Sequence, residues 1–146
     1  TVLCLGDSFD DLAAARALPA PEAGDLRQMV KARNWIWIEG NHDPGATSFG
    51  GCSCDEITIG ALTFRHIARK DAAPGEVSGH YHPKARLSRG SARPTFLLDH
   101  TRLILPAFGT YTGGLRTNDP ALAGLMAPQA LAILTGPTPL PCPMPR

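Results

Sequence analysis

The sequence predicts an α/β fold in which two sheets pack together and helices cover the outer face of the first. Three observations predict it. Residues 1–38 run strand, helix, strand. Beyond residue 55 the chain breaks into short apolar runs separated by Gly, Pro or charged turns, the pattern of β structure. The early runs end on clusters of Gly, Asp, Asn and His, as strand exits do in open α/β sheets that bind ligands.

Each element follows from local sequence. Thr1–Leu5 is an apolar run ended by Gly6-Asp7, a buried strand. Asp10 to Leu18 is Ala-rich and predicts a helix that Pro19 ends. Pro21 to Arg33 places Leu26, Met29 and Val30 at the spacing of an amphipathic helix. Trp35–Ile38 predicts a second strand, stopped by Glu39-Gly40-Asn41-His42-Asp43-Pro44. That order implies a right-handed crossover into a parallel sheet. Glu56–Ile59, Leu62–Ile67, Glu76–Ser78, Ala85–Leu87, Thr95–Leu98 and Arg102–Leu105 read as strands. Pro120 to Met126 predicts a short helix, and Leu131–Leu134 a last strand before Gly136-Pro137. Residues 137–146 contain five prolines and read as an extended or disordered tail. The expected organisation is one domain over 1–136 and a Pro-rich tail over 137–146.

Composition narrows the function classes. A chain of 146 residues is the size of one domain. With 43% hydrophobic and 18% charged residues it is globular rather than disordered or collagen-like. Fourteen basic and thirteen acidic residues give a formal charge of +1, so a nucleic-acid role needs a local patch. No apolar run is long enough for a membrane helix, and no signal peptide is evident. Cys4 reads as a core residue. Cys52 and Cys54 lie in a Gly-rich loop at a spacing unlike a zinc ribbon, and Cys142 stands alone. Reduced thiols in a cytoplasmic protein are expected. The chain opens at Thr1 inside an apolar run, so an upstream part is expected.

The chemistry gathers at the strand exits. Gly6-Asp7, Gly40-Asn41-His42-Asp43, His66 and Gly79-His80-Tyr81-His82-Pro83 all follow predicted strands. Taken singly, each reads equally as a turn or a core histidine. Together they offer one carboxylate, one amide oxygen and several imidazoles. That mixture suits manganese, iron or zinc, is too rich in nitrogen for calcium, and lacks the thiolates of structural zinc.

In this ordered set the sequence resembles the calcineurin-like metallophosphoesterases. Gly6-Asp7-Ser8-Phe9-Asp10, Gly40-Asn41-His42-Asp43, His66 and Gly79-His80-Tyr81-His82 are similar to that family's second to fifth motif blocks. The likeness covers about residues 1–110. Gly79 to Pro83 followed by Leu105-Pro106-Ala107-Phe108-Gly109-Thr110-Tyr111-Thr112-Gly113-Gly114 resembles the PdeM-like, ligase-associated DNA-damage-response branch. Read without the family, the second stretch is a strand and Gly turn packing near the site.

The resemblance implies a two-sheet β-sandwich flanked by helices and lacking its first strand. It implies two divalent metals, manganese foremost, with iron or zinc as alternatives. Asp7 would bridge them. Asn41, His66 and His80 would complete the second site, and His82 would bind the first. His42 would serve the phosphate or its leaving oxygen, and Asp43 would orient His42. Asp10 would stand behind the ligands, and Tyr81, Lys84 and Arg86 would line the substrate. The family's first block, Asp-x-His, is absent before Asp7, which leaves the first metal two ligands here. A basic stretch of Lys84, Arg86, Arg89 and Arg93, with Arg65, Arg69 and Lys70 about His66, could hold phosphates or stand solvated.

The implied function is a phosphodiesterase or endonuclease acting on DNA in repair by a metal-activated hydroxide. Its partners would be DNA and, functionally, a DNA ligase and a helicase. A small-molecule phosphatase or nucleotide pyrophosphatase is the second enzyme reading. A non-catalytic metal- or nucleic-acid-binding remnant is the reading from another class.

Overall fold

Parallel pairing organises the first part of the chain. β1 (Val2–Cys4) and β2 (Trp35–Ile38) pair in parallel with Val2 opposite Trp35. The computed structural model describes residues 1–45, 47–87, 90–109 and 112–145. Between the two strands lie α1 (Leu12–Arg16) and α2 (Ala20–Lys31). The expected helix from Asp10 to Leu18 is shorter at both ends, because Asp11 is its N-cap, accepting the Ala14 N–H at 2.6 Å. Pro21 sits in the first turn of α2, where no intrahelical donor is lost.

α2 buries Ala23 and Val30 against Trp37 and Phe49, and Phe9 stacks on Phe49 at 5.5 Å. A third strand, β3 (Cys52–Cys54), extends the sheet in parallel beside β2. The glycines around these cysteines predict a loop instead. The Trp37 indole N–H donates to the Gly50 carbonyl at 2.7 Å and ties the preceding turn against β2. A long-range bond thus overrides weak local strand propensity.

The second sheet contains β4 (Glu56–Ile59), β5 (Leu62–Arg65), β6 (Glu76–Ser78), β7 (Lys84–Ala85), β8 (Arg93–Leu98), β9 (Arg102–Ile104), β10 (Leu131–Leu134) and β11 (Leu140–Pro143). Its order is β11-β10-β8-β9-β6-β5-β4, with β7 paired to β8. α3 (Pro120–Leu125) packs on this sheet, so helices do not cover the first sheet alone. Leu97, Ile104, Leu122 and Leu134 are almost fully buried there, each contributing about 1.5–3 kcal/mol of transfer free energy.

The Pro-rich end belongs to this sheet. Leu134 pairs with Leu140 and Ala132 with Cys142, antiparallel. The Met144 N–H donates to Ala130 O at 2.8 Å, so even-numbered residues face β10. Pro141 and Pro143 therefore lie where an N–H would point away from the ladder, the place an edge strand tolerates proline. Met144 is buried in the core. The segment expected as a tail is extended, but it is an integral strand.

A charge is buried in the same sheet. Glu76 is 1% exposed. Its Oε1 accepts from Arg65 Nη1 at 3.0 Å and from the Arg69 N–H at 2.9 Å. Its Oε2 lies 3.0 Å from Arg102 Nη1 as an ion pair. No helix among the described residues is long and apolar enough to cross a membrane.

β5, β6 and β9 are parallel, so their carboxyl ends lie together. The Gly79 N–H donates to His66 O at 3.0 Å, and the Leu105 N–H to Ser78 O at 2.8 Å. The exit of β1 arrives at the same place.

Candidate metal centre

Two loops form the floor of the centre. After β1 the backbone turns through Gly6 (φ 83°) and Asp7 (φ 49°), the left-handed region. That conformation costs a non-glycine residue about 1–3 kcal/mol and persists only when its surroundings enforce it. Asp43 enforces it. Its Oδ1 accepts the Asp7 N–H at 2.9 Å and the Gly40 N–H at 3.2 Å. Its Oδ2 accepts the Ser8 N–H at 2.7 Å and the Phe9 N–H at 3.2 Å. In return, the His42 N–H donates to Asp7 Oδ1 at 3.0 Å. One buried carboxylate thus laces the two loops together. A Cβ at Gly40 would strike the Asp7 backbone and carboxylate, and one at Gly6 the His66 ring, so the sequence needs glycine at both.

Lone pairs converge above this floor. His66 is buried at the end of β5, and its Nδ1 lies 2.7 Å from Leu5 O. A carbonyl can only accept, so Nδ1 donates to it and Nε2 is the nitrogen left facing the cluster. That Nε2 faces Asp7 Oδ2 at 3.1 Å, Asn41 Oδ1 at 3.0 Å and His80 Nδ1 at 3.1 Å. Asp7, His66 and His80 offer ligand atoms all within 4.8 Å of one another. One added proton serves one of these contacts; a divalent cation serves all of them. A carboxylate, an amide oxygen and two imidazoles fit manganese, iron or zinc.

The histidine loop is also held in an uncommon backbone. His80 has φ 64° and His82 φ 46°. The His80 ring stands edge-on to His66 at 4.9 Å and to Tyr81 at 5.0 Å. Burial pushes the His80 pKa down and the neighbouring His66 pushes it further, against the pull of Asp7. Burial also lowers His82, again opposed by Asp7. Both shifts favour the neutral imidazole a metal requires.

The expected site residues separate into groups. Asp7, Asn41, His66 and His80 come together. His82 is half-buried and close enough to feel the charge of Asp7, but it lies outside the tight cluster. His42 is exposed, with its backbone on Asp7. Among the described residues Asp43 makes no hydrogen bond to the His42 imidazole; both its oxygens are taken by backbone amides. What its carboxylate does in the structure is clamp the two loops. Asp10 is exposed and adjoins the true cap, Asp11. Tyr81 is half-buried against His80.

The basic residues divide as well. Lys84 Nζ donates to Thr112 O at 2.9 Å, and Arg86 is exposed. Arg65 is committed to Glu56 at 3.1 Å and to Glu76, and Arg69 to Glu56 at 3.2 Å. Those two guanidiniums beside His66 are thus paired rather than free for phosphate. Arg93 donates to the Thr135 carbonyl, and Lys70 is exposed. Arg89, Thr110 and Tyr111 of the expected motifs, and Arg146 of the expected tail, lie outside the described residues. Gly114 packs against the His82 carbonyl, which places the second family-like stretch beside the histidine loop. A cleft of about 400 Å³ opens along Asn41 and His66, between Glu39, Asp55 and Arg69.

Comparison with known proteins fits this geometry. The crystal structure of Pseudomonas putida nuclease MPE matches with a TM-score of 0.71 and 29% identity, covering 90% of this chain. The chain is similar to that nuclease. It spans 65% of that protein's length. No family model and no curated protein matches the chain.

Proposed function

We propose that this chain carries the phosphoester-hydrolysing centre of a metal-dependent nuclease of the calcineurin-like metallophosphoesterase kind, in its PdeM-like branch. The observation that carries the proposal is the convergence of Asp7, Asn41 and His80 on Nε2 of His66. The likeness to a nuclease supports the choice of reaction. Asp7, Asn41, His66 and His80 would hold one divalent ion, manganese first. Asp7 and His82 would contribute to a neighbouring one. When bound, such ions offset phosphate charge and acidify water.

The chain's own residues supply the rest. Asp43 keeps Asp7 aimed inward through the backbone amide of that residue. His42, exposed and fastened to Asp7 by its own amide, stands ready to protonate the departing oxygen from an imidazole nitrogen. No nucleophilic Ser or Cys is required. A repair role beside a DNA ligase and a helicase rests on the family resemblance, and a cytoplasmic location on the free cysteines.

The test combines calorimetric titration of Mn²⁺ with hydrolysis of bis-p-nitrophenyl phosphate, p-nitrophenyl phosphate and single-stranded DNA. Saturable Mn²⁺ binding that Asp7→Asn removes, with cleavage of diester and DNA over monoester, is the expected result. Preference for the monoester would make the protein a phosphatase. Binding without hydrolysis would make it a non-catalytic metal protein. Absence of metal binding would remove the centre itself.

A further inference from the structure

We propose that Lys84, Arg86 and Arg116 form a second anion site, which takes a phosphodiester group of the nucleic-acid strand next to the one at the metal centre. The identity of the strand rests on the nuclease reading; the anion site rests on the geometry below.

The three cations line one cavity of about 160 Å³ with Thr117, Asn118 and Pro145. That is below the roughly 300–1,000 Å³ of small-molecule pockets, so it suits a single small group. Two segments far apart in sequence build it. Lys84 and Arg116 form a parallel bridge. The Lys84 N–H donates to Leu115 O at 2.8 Å, and the Thr117 N–H to Lys84 O at 3.1 Å. The backbone therefore fixes two positive side chains beside each other, which is unfavourable unless an anion lies between them.

Among the described residues none of the three cations forms an ion pair, and no carboxylate lines the cavity. The contrast with Arg65, Arg69 and Arg102 is clear, since each of those has a glutamate partner. Guanidiniums offer a fork of N–H donors that matches phosphate oxygens, and Thr117 and Asn118 add neutral donors.

The position follows from the chain. Lys84 is two residues past His82, at most about 7 Å in extended backbone. The Leu115 N–H donates to Tyr81 O at 3.0 Å, so the segment carrying Arg116 is tied to the histidine loop itself. A strand whose scissile phosphate lies at the metal centre would pass this cavity with a neighbouring phosphate. Such a contact positions the strand and reads no base.

The test is fluorescence anisotropy of a labelled single-stranded oligonucleotide with the full chain in EDTA, across a KCl series. Arg116 is exposed, so Arg116→Gln should fold normally. It should weaken binding and flatten the slope of log Kobs against log[KCl] by about 0.7, one phosphate contact's share for a single strand. Arg33→Gln, an exposed arginine just past α2, should keep the wild-type slope. A slope in Arg116→Gln equal to wild type, or an equal change in Arg33→Gln, overturns the site. Flattening specific to Arg116→Gln in a protein that hydrolyses no ester would keep the anion site and reject the hydrolase reading. Hydrolysis with an unchanged slope would do the reverse.

Discussion

Asp43→Asn separates two roles for one carboxylate. Asp43 is 6% exposed and accepts four backbone N–H bonds between 2.7 and 3.2 Å, two on each oxygen. Asparagine has one acceptor oxygen and one NH₂ group. In either orientation it keeps two of these bonds and points donors at the other two. A bond to a charged acceptor contributes about 1.5–3 kcal/mol, so losing two costs about 3–6 kcal/mol. Domains are stable by roughly 5–15 kcal/mol in all, so the variant should sit near the threshold of folding. The same change frees the Asp7 backbone from the left-handed turn that aims its carboxylate. Urea unfolding and Mn²⁺ titration on the same samples give the readout. A large fall in the unfolding midpoint together with weaker Mn²⁺ binding is expected. If Asp43 served only to orient His42, both would stay at wild-type values and turnover alone would drop. That pattern would refute the clamp.

Three more outcomes follow from the geometry. Glu76→Gln leaves the buried Arg102 guanidinium without its counter-charge and should cost about 3–5 kcal/mol by urea unfolding; a loss under about 1 kcal/mol would contradict it. Burial pushes the Asp99 carboxyl up, but hydrogen bonds from Ala127, Thr101 and Arg102 outweigh it and hold the pKa below the usual range. The folded value is depressed, so its stabilisation is present above the unfolded pKa of about 3.9 and fades as pH falls through the folded value. The stability gap between wild type and Asp99→Asn should be full at neutral pH and shrink below about pH 4; a gap that stays constant counts against this account. His42→Ala should lower turnover by roughly 10²–10⁴-fold while sparing Mn²⁺ affinity. Loss of the metal along with turnover would make His42 a ligand.

Strands flanked by strong breakers were legible from sequence. β2, β4, β6 and β10 lie at the expected bounds, because Gly, Pro or charged residues stop each run. β3 was not, since Cys-Ser-Cys carries no strand preference and is set by its neighbour β2. β11 was hidden by its prolines, whose tolerance depends on which side of the strand meets β10. The cluster of Asp7, Asn41, His66 and His80 was legible because each residue follows a strand end, and the carboxyl ends of β1 and β2 in one sheet meet those of β5 and β6 in the other. The work of Asp43 was not, because its four donors lie in two loops that meet only in three dimensions. The burial of Glu76 carries no local signal, because its arginine partners come from neighbouring strands. Arg116 carries no local signal in sequence; the bridge to Lys84 and the Leu115–Tyr81 bond, both long-range, bring it near the histidine loop.

The left-handed backbone at Asp7, His80 and His82 sets stability against activity. Glycine would occupy each of those turns without strain, so replacing the proposed ligands should relax the backbone there while erasing the chemistry proposed for them. A library of this protein screened only for heat resistance would drift toward glycine at positions 7, 80 and 82. Its survivors would be sturdier molecules left with only Asn41 and His66 of the proposed donor set. Any search for improved variants therefore has to score metal binding in the same round as thermal survival.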